Sequence, residues 1–410
     1  MTKPMGPIPA RYAAGKDGTL HVAGRSVAAL VAEAGGTPLF VYDLAAVAAQ
    51  IRRFRSAFPG VQLHYAIKAN SYANLLSFIE SKVDGLDIAS AGEMEAALAV
   101  AAADRISFAG PGKTDAELEA AVRAGVTLNI ESEAEAERAL AAAGRLGVTP
   151  RLAVRVNPDF ELRGSGMRMG GGARPFGVDA EHVPALVRRL RGGGADWRGF
   201  HIFAGSQALS ADALIEAQRA TVALAAELAK AAGAPPRLVN LGGGFGIPYF
   251  HGEQPLDVEA VGAALGKILA ARPAILADSV FAIELGRWLV GEAGVYVTRI
   301  VDRKVSRGKV FLVTDGGMHH QLAASGNFGQ VVRRNYPVAV ASRFAAGPDE
   351  RVSVVGCLCT PLDRLADDVL MPRAEAGDLV AVFLAGAYGL SASPQAFLGH
   401  PPAREIAVGG

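Results

Sequence analysis

Three short segments combine residue types that could act together on one small molecule. In HYAIKAN, residues 64–70, Lys68 stands at the end of an apolar, strand-like run. An amine presented there can condense with an aldehyde to form an imine. In LGGGFGI, residues 241–247, Gly243, Gly244 and Gly246 follow a second apolar run. Without Cβ atoms in the way, consecutive backbone N–H groups can close on an anion, as a phosphate site requires. In ELGR, residues 284–287, Glu284 and Arg287 flank Leu285 and Gly286 at the end of a third run, offering one carboxylate and one guanidinium. Each segment alone also has a plain structural reading: a snorkelling lysine, a glycine turn without a ligand, a surface ion pair. Together they describe a site for pyridoxal 5'-phosphate, with the lysine for its aldehyde, glycine backbone for its phosphate and an acid to keep the pyridine nitrogen protonated. A protonated ring accepts the electron pair left on Cα when a carboxylate departs.

The elements that must hold these residues follow from periodicity. From residue 60 onward short apolar runs alternate with alanine-rich segments of helical period, the mark of repeated βα units and a parallel sheet. Candidate strands cover 61–66, 85–89, 105–109, 126–131, 151–157, 198–203, 237–242 and 280–284. Segments 114–124, 132–146, 210–232 and 258–271 carry helical spacing and open on N-cap residue types. Eight such units predict an α/β fold, a TIM (β/α)8 barrel over residues 36–284, with its site at the C-terminal strand ends. Beyond it, runs at 294–301, 310–314, 352–355 and 378–383 are short and β-branched, predicting a mostly β, barrel-like C-terminal domain over 285–410. Residues 1–35 are expected to pack with that domain. The glycine-rich stretch RGSGMRMGGGARPFG, 163–177, follows a strand end and reads equally as a mobile lid or a plain connection.

Composition narrows the partners. The 410 residues carry 41 basic and 40 acidic side chains, which leaves no excess charge to draw nucleic acid or an anionic membrane. The N-terminus shows no signal-peptide pattern and apolar stretches are short, so a cytoplasmic location is expected. The only cysteines, Cys357 and Cys359, suit neither a disulfide framework nor a zinc site by spacing, and no metal is predicted.

Ordered motifs extend the argument. GTPLFVYD (36–43), YAIKAN (65–70), DIASAGE (87–93), RVNP (155–158), GSQ (205–207), GGGFG (242–246), ELGR (284–287), the Cys359 region and GAYG (386–389) occur in one series. In these the chain resembles the fold-type III pyridoxal phosphate decarboxylases, the diaminopimelate and ornithine decarboxylase group. The resemblance implies a barrel plus β domain and a homodimer with active sites shared at its interface. It implies that Lys68 carries the cofactor as a Schiff base and that Glu284 faces the pyridine nitrogen. Ser206, Gly243, Gly244 and Gly246 would surround the phosphate, Gly286 would contact the cofactor, and Arg287 would contact the phosphate or a substrate carboxylate. Tyr388 would reach the cofactor and substrate from the β domain, while Cys359, from the partner subunit, would protonate Cα. The implied reaction is loss of an amino acid's α-carboxylate through an external aldimine and a quinonoid.

Departures from the family pattern bear on the substrate. Phe203 stands where the family has a ring-stacking histidine; it can stack but cannot exchange protons. His201, two residues earlier on the same strand face, is read as a core histidine. Thr360 follows Cys359 where diaminopimelate decarboxylases have a glutamate that holds the substrate's distal end. Without that charge a distal ammonium would be costly to bury, so a substrate lacking one is expected. Asp363 keeps its place and reads as a loop support. HHQLAASGNFGQVVRRNYP (319–337) replaces the usual arginine-containing substrate stretch. These features resemble the branch acting on amino acids tethered to an acyl-carrier protein, or associated with exosortase-type export. Arg168, Arg333 and Arg334 read as contacts for a phosphate or carboxylate, or as solvated surface residues. The alternatives are diaminopimelate decarboxylase proper, a racemase on the same barrel and an inactive regulatory relative. Racemases of this fold place arginine against the ring nitrogen, and the joint presence of Lys68, Glu284 and Cys359 argues against an inactive protein.

Overall fold

The structure is a computed structural model and describes residues 2–162, 166–168, 170–328, 330 and 333–410. Two compact units emerge from its contacts, one of residues 50–247 with 255–286, the other of 1–49, 248–254 and 287–410.

The first unit is a closed parallel barrel. Its strands are Gln62–Ala66, Gly85–Ile88, Ile106–Phe108, Thr127–Ile130, Arg151–Asn157, Asp196–Ile202, Leu238–Asn240 and Val280–Leu285. Each pairs with its neighbours in chain order, and the last returns to the first through Ala282↔Gln62 to Leu285↔Tyr65. These runs are almost wholly buried, which is why they read as continuous apolar segments. The helices start where the side-chain chemistry favours it. Thr114 and Glu117 close a reciprocal capping box before Asp115–Ala124, Ser132 caps Glu133–Leu146, Ser210 caps Ala211–Ala232 and Asp257 caps Val258–Ala270. Charges inside this unit are paired: Arg155 lies 2.9 Å from Glu131 and Lys113 2.8 Å from Glu135, all four side chains buried. Removing one partner of such a pair strands its mate and costs about 3–5 kcal/mol.

The second unit is mostly β. Its principal sheet runs, by pairing, Val338–Val340, Leu379–Phe383, Gly294–Ser306, Lys309–Thr314, Glu350–Val355, Arg364–Met371. Leu39–Asp43 joins it, antiparallel to Gly294–Ser306 and parallel to Arg404–Val408. The strand after residue 36 thus belongs to the β-rich unit, because its hydrogen-bonding partners lie far along the chain. No helix among the described residues is long and apolar enough to cross a membrane. Of the glycine-rich stretch 163–177, residues 163–165 and 169 lie outside the described residues, so its reading as a lid does too.

Candidate active site

The strand Gln62–Ala66 runs directly into a tight turn, Ile67–Ala69. Ile67 and Ala69 bury their side chains while Lys68 between them is 46% exposed, so the turn throws this one side chain clear of the core. The Tyr65 hydroxyl donates to the Asn70 carbonyl at 2.8 Å and the Asn70 side chain accepts from Tyr72 N–H at 3.0 Å, pinning the turn at its exit. Lys68 Nζ lies 3.9 Å from Glu284 Oε1 and 5.8 Å from the centre of the Phe203 ring. Gly286 sits beneath: a Cβ there would stand 2.7 Å from that of Ala69. Its backbone fits under the lysine turn.

Glu284 is buried, level with His64 on the adjoining strand. Its Oε2 is 2.8 Å from Nε2 of His201, which is 3% exposed and whose Nδ1 is buried without a hydrogen-bond partner. Burial alone would raise the Glu284 pKa, but His201, then Lys68 and Arg155, outweigh it and hold the carboxyl well below the usual range. The group stays anionic. His201 is thus buried as a core histidine would be, yet its Nε2 is also the side-chain nitrogen nearest the acid, a role its strand position did not disclose. Phe203 follows the same strand and lies over the Gly242 turn, where a Cβ would come 2.7 Å from its Cδ2.

Two glycine-containing loops form a cradle. Ala208 N–H donates to Gly244 O at 2.8 Å and Gly246 N–H to Ala208 O at 2.9 Å. The Gln207 side chain clasps Ile247 through both its amide groups, at 2.6 and 3.3 Å. Ser206 lies in the short strand Gly205–Ser206 just before this clasp. A Cβ on Gly243 would fall 1.8 Å from Glu284 O, and one on Gly244, whose φ is +83°, 2.2 Å from Gly205 O. Only glycine permits these approaches. A glycine-lined cradle, a lysine and a carboxylate held anionic are the donor set that pyridoxal 5'-phosphate requires.

The remaining predicted residues belong to the β-rich unit. Arg287 donates from Nη1 to Tyr249 Oη at 3.0 Å and lies 4.7 Å above the Tyr388 ring, while its Nε is buried without a partner. Burial opposes its charge, but Tyr249 and Tyr388 raise its pKa. Tyr249 escaped the sequence reading because nothing local marks it; it lies 38 residues before Arg287. Cys359 is exposed, and Thr360 caps the following turn, accepting from Leu362 N–H at 3.4 Å. Asp363 accepts from Met318 and Leu358 N–H at 2.7 and 2.8 Å and so supports this loop. Arg333 donates to the Arg364 carbonyl, and Arg334 lies 3.2 Å from Glu253 and 3.7 Å over Phe250. Both have structural partners; the Arg168 side chain lies outside the described residues.

Comparison with known proteins agrees with this chemistry. Residues 44–291 match the family model of the pyridoxal-dependent decarboxylases, pyridoxal binding domain. The chain is 39% identical to the L-glutamyl-[BtrI acyl-carrier protein] decarboxylase of Niallia circulans, over 90% of this chain and 88% of that protein. It is 34% identical to the diaminopimelate decarboxylase of Archaeoglobus fulgidus, over 96% and 93%. The crystal structure of Helicobacter pylori diaminopimelate decarboxylase complexed with L-lysine superposes with a TM-score of 0.80 at 28% identity, over 91% of each chain. A lysine beside an anionic glutamate whose strand end abuts a glycine cradle, on a barrel matched along its length, places the chain among the pyridoxal-dependent decarboxylases, as a pyridoxal 5'-phosphate-dependent carboxy-lyase.

Proposed function

We propose that the substrate is an amino acid without a free distal ammonium, joined to an acyl-carrier protein, and that the enzyme works in the cytoplasm as a homodimer with shared active sites. The observation that carries the absence of a distal ammonium is Thr360 directly after Cys359. With a threonine there, and with the Asp363 carboxylate already taken by Met318 and Leu358 N–H, a distal ammonium finds no partner in this loop, and an unpaired buried cation is costly. The relative from Niallia circulans, named for a glutamyl group on a carrier protein, supports the same class.

In this reading Lys68 would hold the cofactor through its amine until the amine of the substrate takes its place. Pyridoxal 5'-phosphate, when bound, supplies the sink for the electron pair released as carbon dioxide leaves. Glu284, kept anionic by His201, would hold a proton on the ring nitrogen, and the loops around Ser206, Gly243, Gly244 and Gly246 would hold the phosphate. Phe203 covers the ring. Arg287 and Tyr388 bind the substrate or the phosphate. Cys359, from the partner subunit, gives its thiol proton to Cα and recovers one from solvent.

The test is carbon dioxide release from carrier-tethered glutamate, free glutamate, ornithine, lysine and diaminopimelate. A kcat/KM for the tethered substrate at least about 10²-fold above that for diaminopimelate is expected. Comparable values would refute the substrate reading. Lys68→Ala should abolish the cofactor band that borohydride otherwise reduces; a band that survives would refute the assignment of the lysine.

A further inference from the structure

Away from the residues above, the β-rich unit brings His319, Cys357 and His400 together, one donor atom from each lying within 4.8 Å of the others. Their separation along the chain hides the group from sequence inspection: His319 follows the strand Lys309–Thr314, Cys357 the strand Glu350–Val355, and His400 a short turn near the C-terminus. Cys357 Sγ is 3.9 Å from both ring nitrogens of His400, and the His319 and His400 rings are centred 5.2 Å apart.

His319 needs explaining. It is wholly buried, and neither of its ring nitrogens has a hydrogen-bond partner. Buried polar groups are normally satisfied, and a histidine with two orphaned nitrogens beside a thiol and a second imidazole is a poor piece of core. Its neighbours are otherwise engaged. His320 meets Tyr296 Oη and Pro401 O, each at 3.0 Å; Asp363 is held by Met318 and Leu358; Asp315 accepts from Thr37 and from Arg299 N–H.

We propose that His319, Cys357 and His400 bind a divalent transition metal ion of the zinc class. Two imidazoles and one thiolate are a borderline-soft set that selects such an ion over magnesium or calcium. Zn–N distances of about 2.0–2.1 Å and a Zn–S distance of about 2.3 Å put tetrahedral donors roughly 3.3–3.6 Å apart. Cys357 Sγ and His400 stand a few tenths of an ångström wider than that, and no pair is wider by more than about 1.5 Å, within reach of side-chain torsions. The thiol proton passes to solvent as the metal–sulfur bond forms, so affinity falls on acidification. A fourth position stays open for water. The ion would tie three chain segments together and fix the root of the loop that ends in Cys359, two residues beyond its sulfur ligand.

The test loads the chelator-treated holoenzyme with Zn²⁺ or Co²⁺ and measures bound metal by mass spectrometry and cobalt d–d bands to the red of the cofactor absorption. About one ion per chain is expected, with four-coordinate cobalt bands, a sulfur-to-cobalt charge-transfer band lost in Cys357→Ser, and at least tenfold weaker binding in His319→Ala and in His400→Asn. Circular dichroism of each variant identifies misfolding. His400 and Cys357 are partly exposed, so at least one folded variant should be available. Folded parent that takes up no metal, or uptake that Cys357→Ser and His400→Asn leave unchanged, would overturn the proposal.

Discussion

Gly243→Ala tests whether the cradle and the buried acid form one rigid piece. The added Cβ would stand 1.8 Å from the carbonyl oxygen of Glu284 and 3.2 Å from Cδ2 of Leu285. Real Cβ atoms essentially never come within 3.0 Å of such an atom, so relief requires 3.0 Å less 1.8 Å, or 1.2 Å, of movement. The obstacle is backbone and has no rotamer to change. Either the glycine turn lifts or the strand end carrying Glu284 retreats, and the 2.8 Å hydrogen bond from Glu284 N–H to Gly242 O transmits the strain between them. Overpacking of this kind costs about 1–3 kcal/mol, and a displacement near 1 Å at a reacting group costs about 10²-fold in rate. The assay is threefold: cofactor titration of the apoprotein by absorbance, kcat/KM by carbon dioxide release, and thermal unfolding. Expected are a kcat/KM about 10²-fold lower and a melting temperature lower by about 2–4 °C for each kcal/mol lost. Gly266→Ala is the control. It lies inside the helix Val258–Ala270 with nothing within 4 Å of an added Cβ, so it should gain about 0.5–1 kcal/mol and leave turnover alone. Parental cofactor affinity and turnover in Gly243→Ala would refute the coupling.

His201→Phe removes the largest influence opposing burial of the Glu284 charge. The folded-state pKa of Glu284 lies below its ordinary value of 4.5, so its contribution to stability is complete above that pH and is lost as pH falls toward the folded value. The variant should be less stable than the parent by about 3–5 kcal/mol at pH 7, with the gap narrowing at pH 4 in urea unfolding; equal gaps at both pH values would count against the pairing. Cys359→Ala should lower kcat by about 10²–10⁴-fold with the cofactor band intact, whereas loss of the band would point to a structural cysteine. Arg287→Lys cannot keep both the 3.0 Å bond to Tyr249 and the stacking on Tyr388, and should weaken phosphate or substrate binding about tenfold. Unchanged cofactor affinity and KM would exclude that role.

The barrel was legible because its strands are buried on both faces and its helices begin on capping side chains; both facts are written locally. The strand Leu39–Asp43 was not, since what assigns it to the β-rich unit is its pairing with Gly294–Ser306 and Arg404–Val408, hundreds of residues away. The site divides along the same line. Lys68, the cradle glycines and Glu284 announce themselves by residue type at strand ends. His201 did not, and the register explains why. It is level with Asn240 on the next strand, and Asn240 with Ala282 on the one after, so along the pairing it stands two residues short of Glu284. The 2.8 Å contact exists because tilt and shear carry side chains diagonally across a closed barrel, past the intervening strand. Alternation along one strand reports which way a side chain points; it says nothing about how far the barrel has sheared by the time a second strand comes round. The same holds for His319, Cys357 and His400, whose three strand and turn ends meet only once the β-rich unit has folded. Residue type at a strand end is therefore readable in advance, whereas partners two strands apart have to be seen. That is why the charge state of Glu284, set by His201, is the part of the chemistry that only the structure supplies.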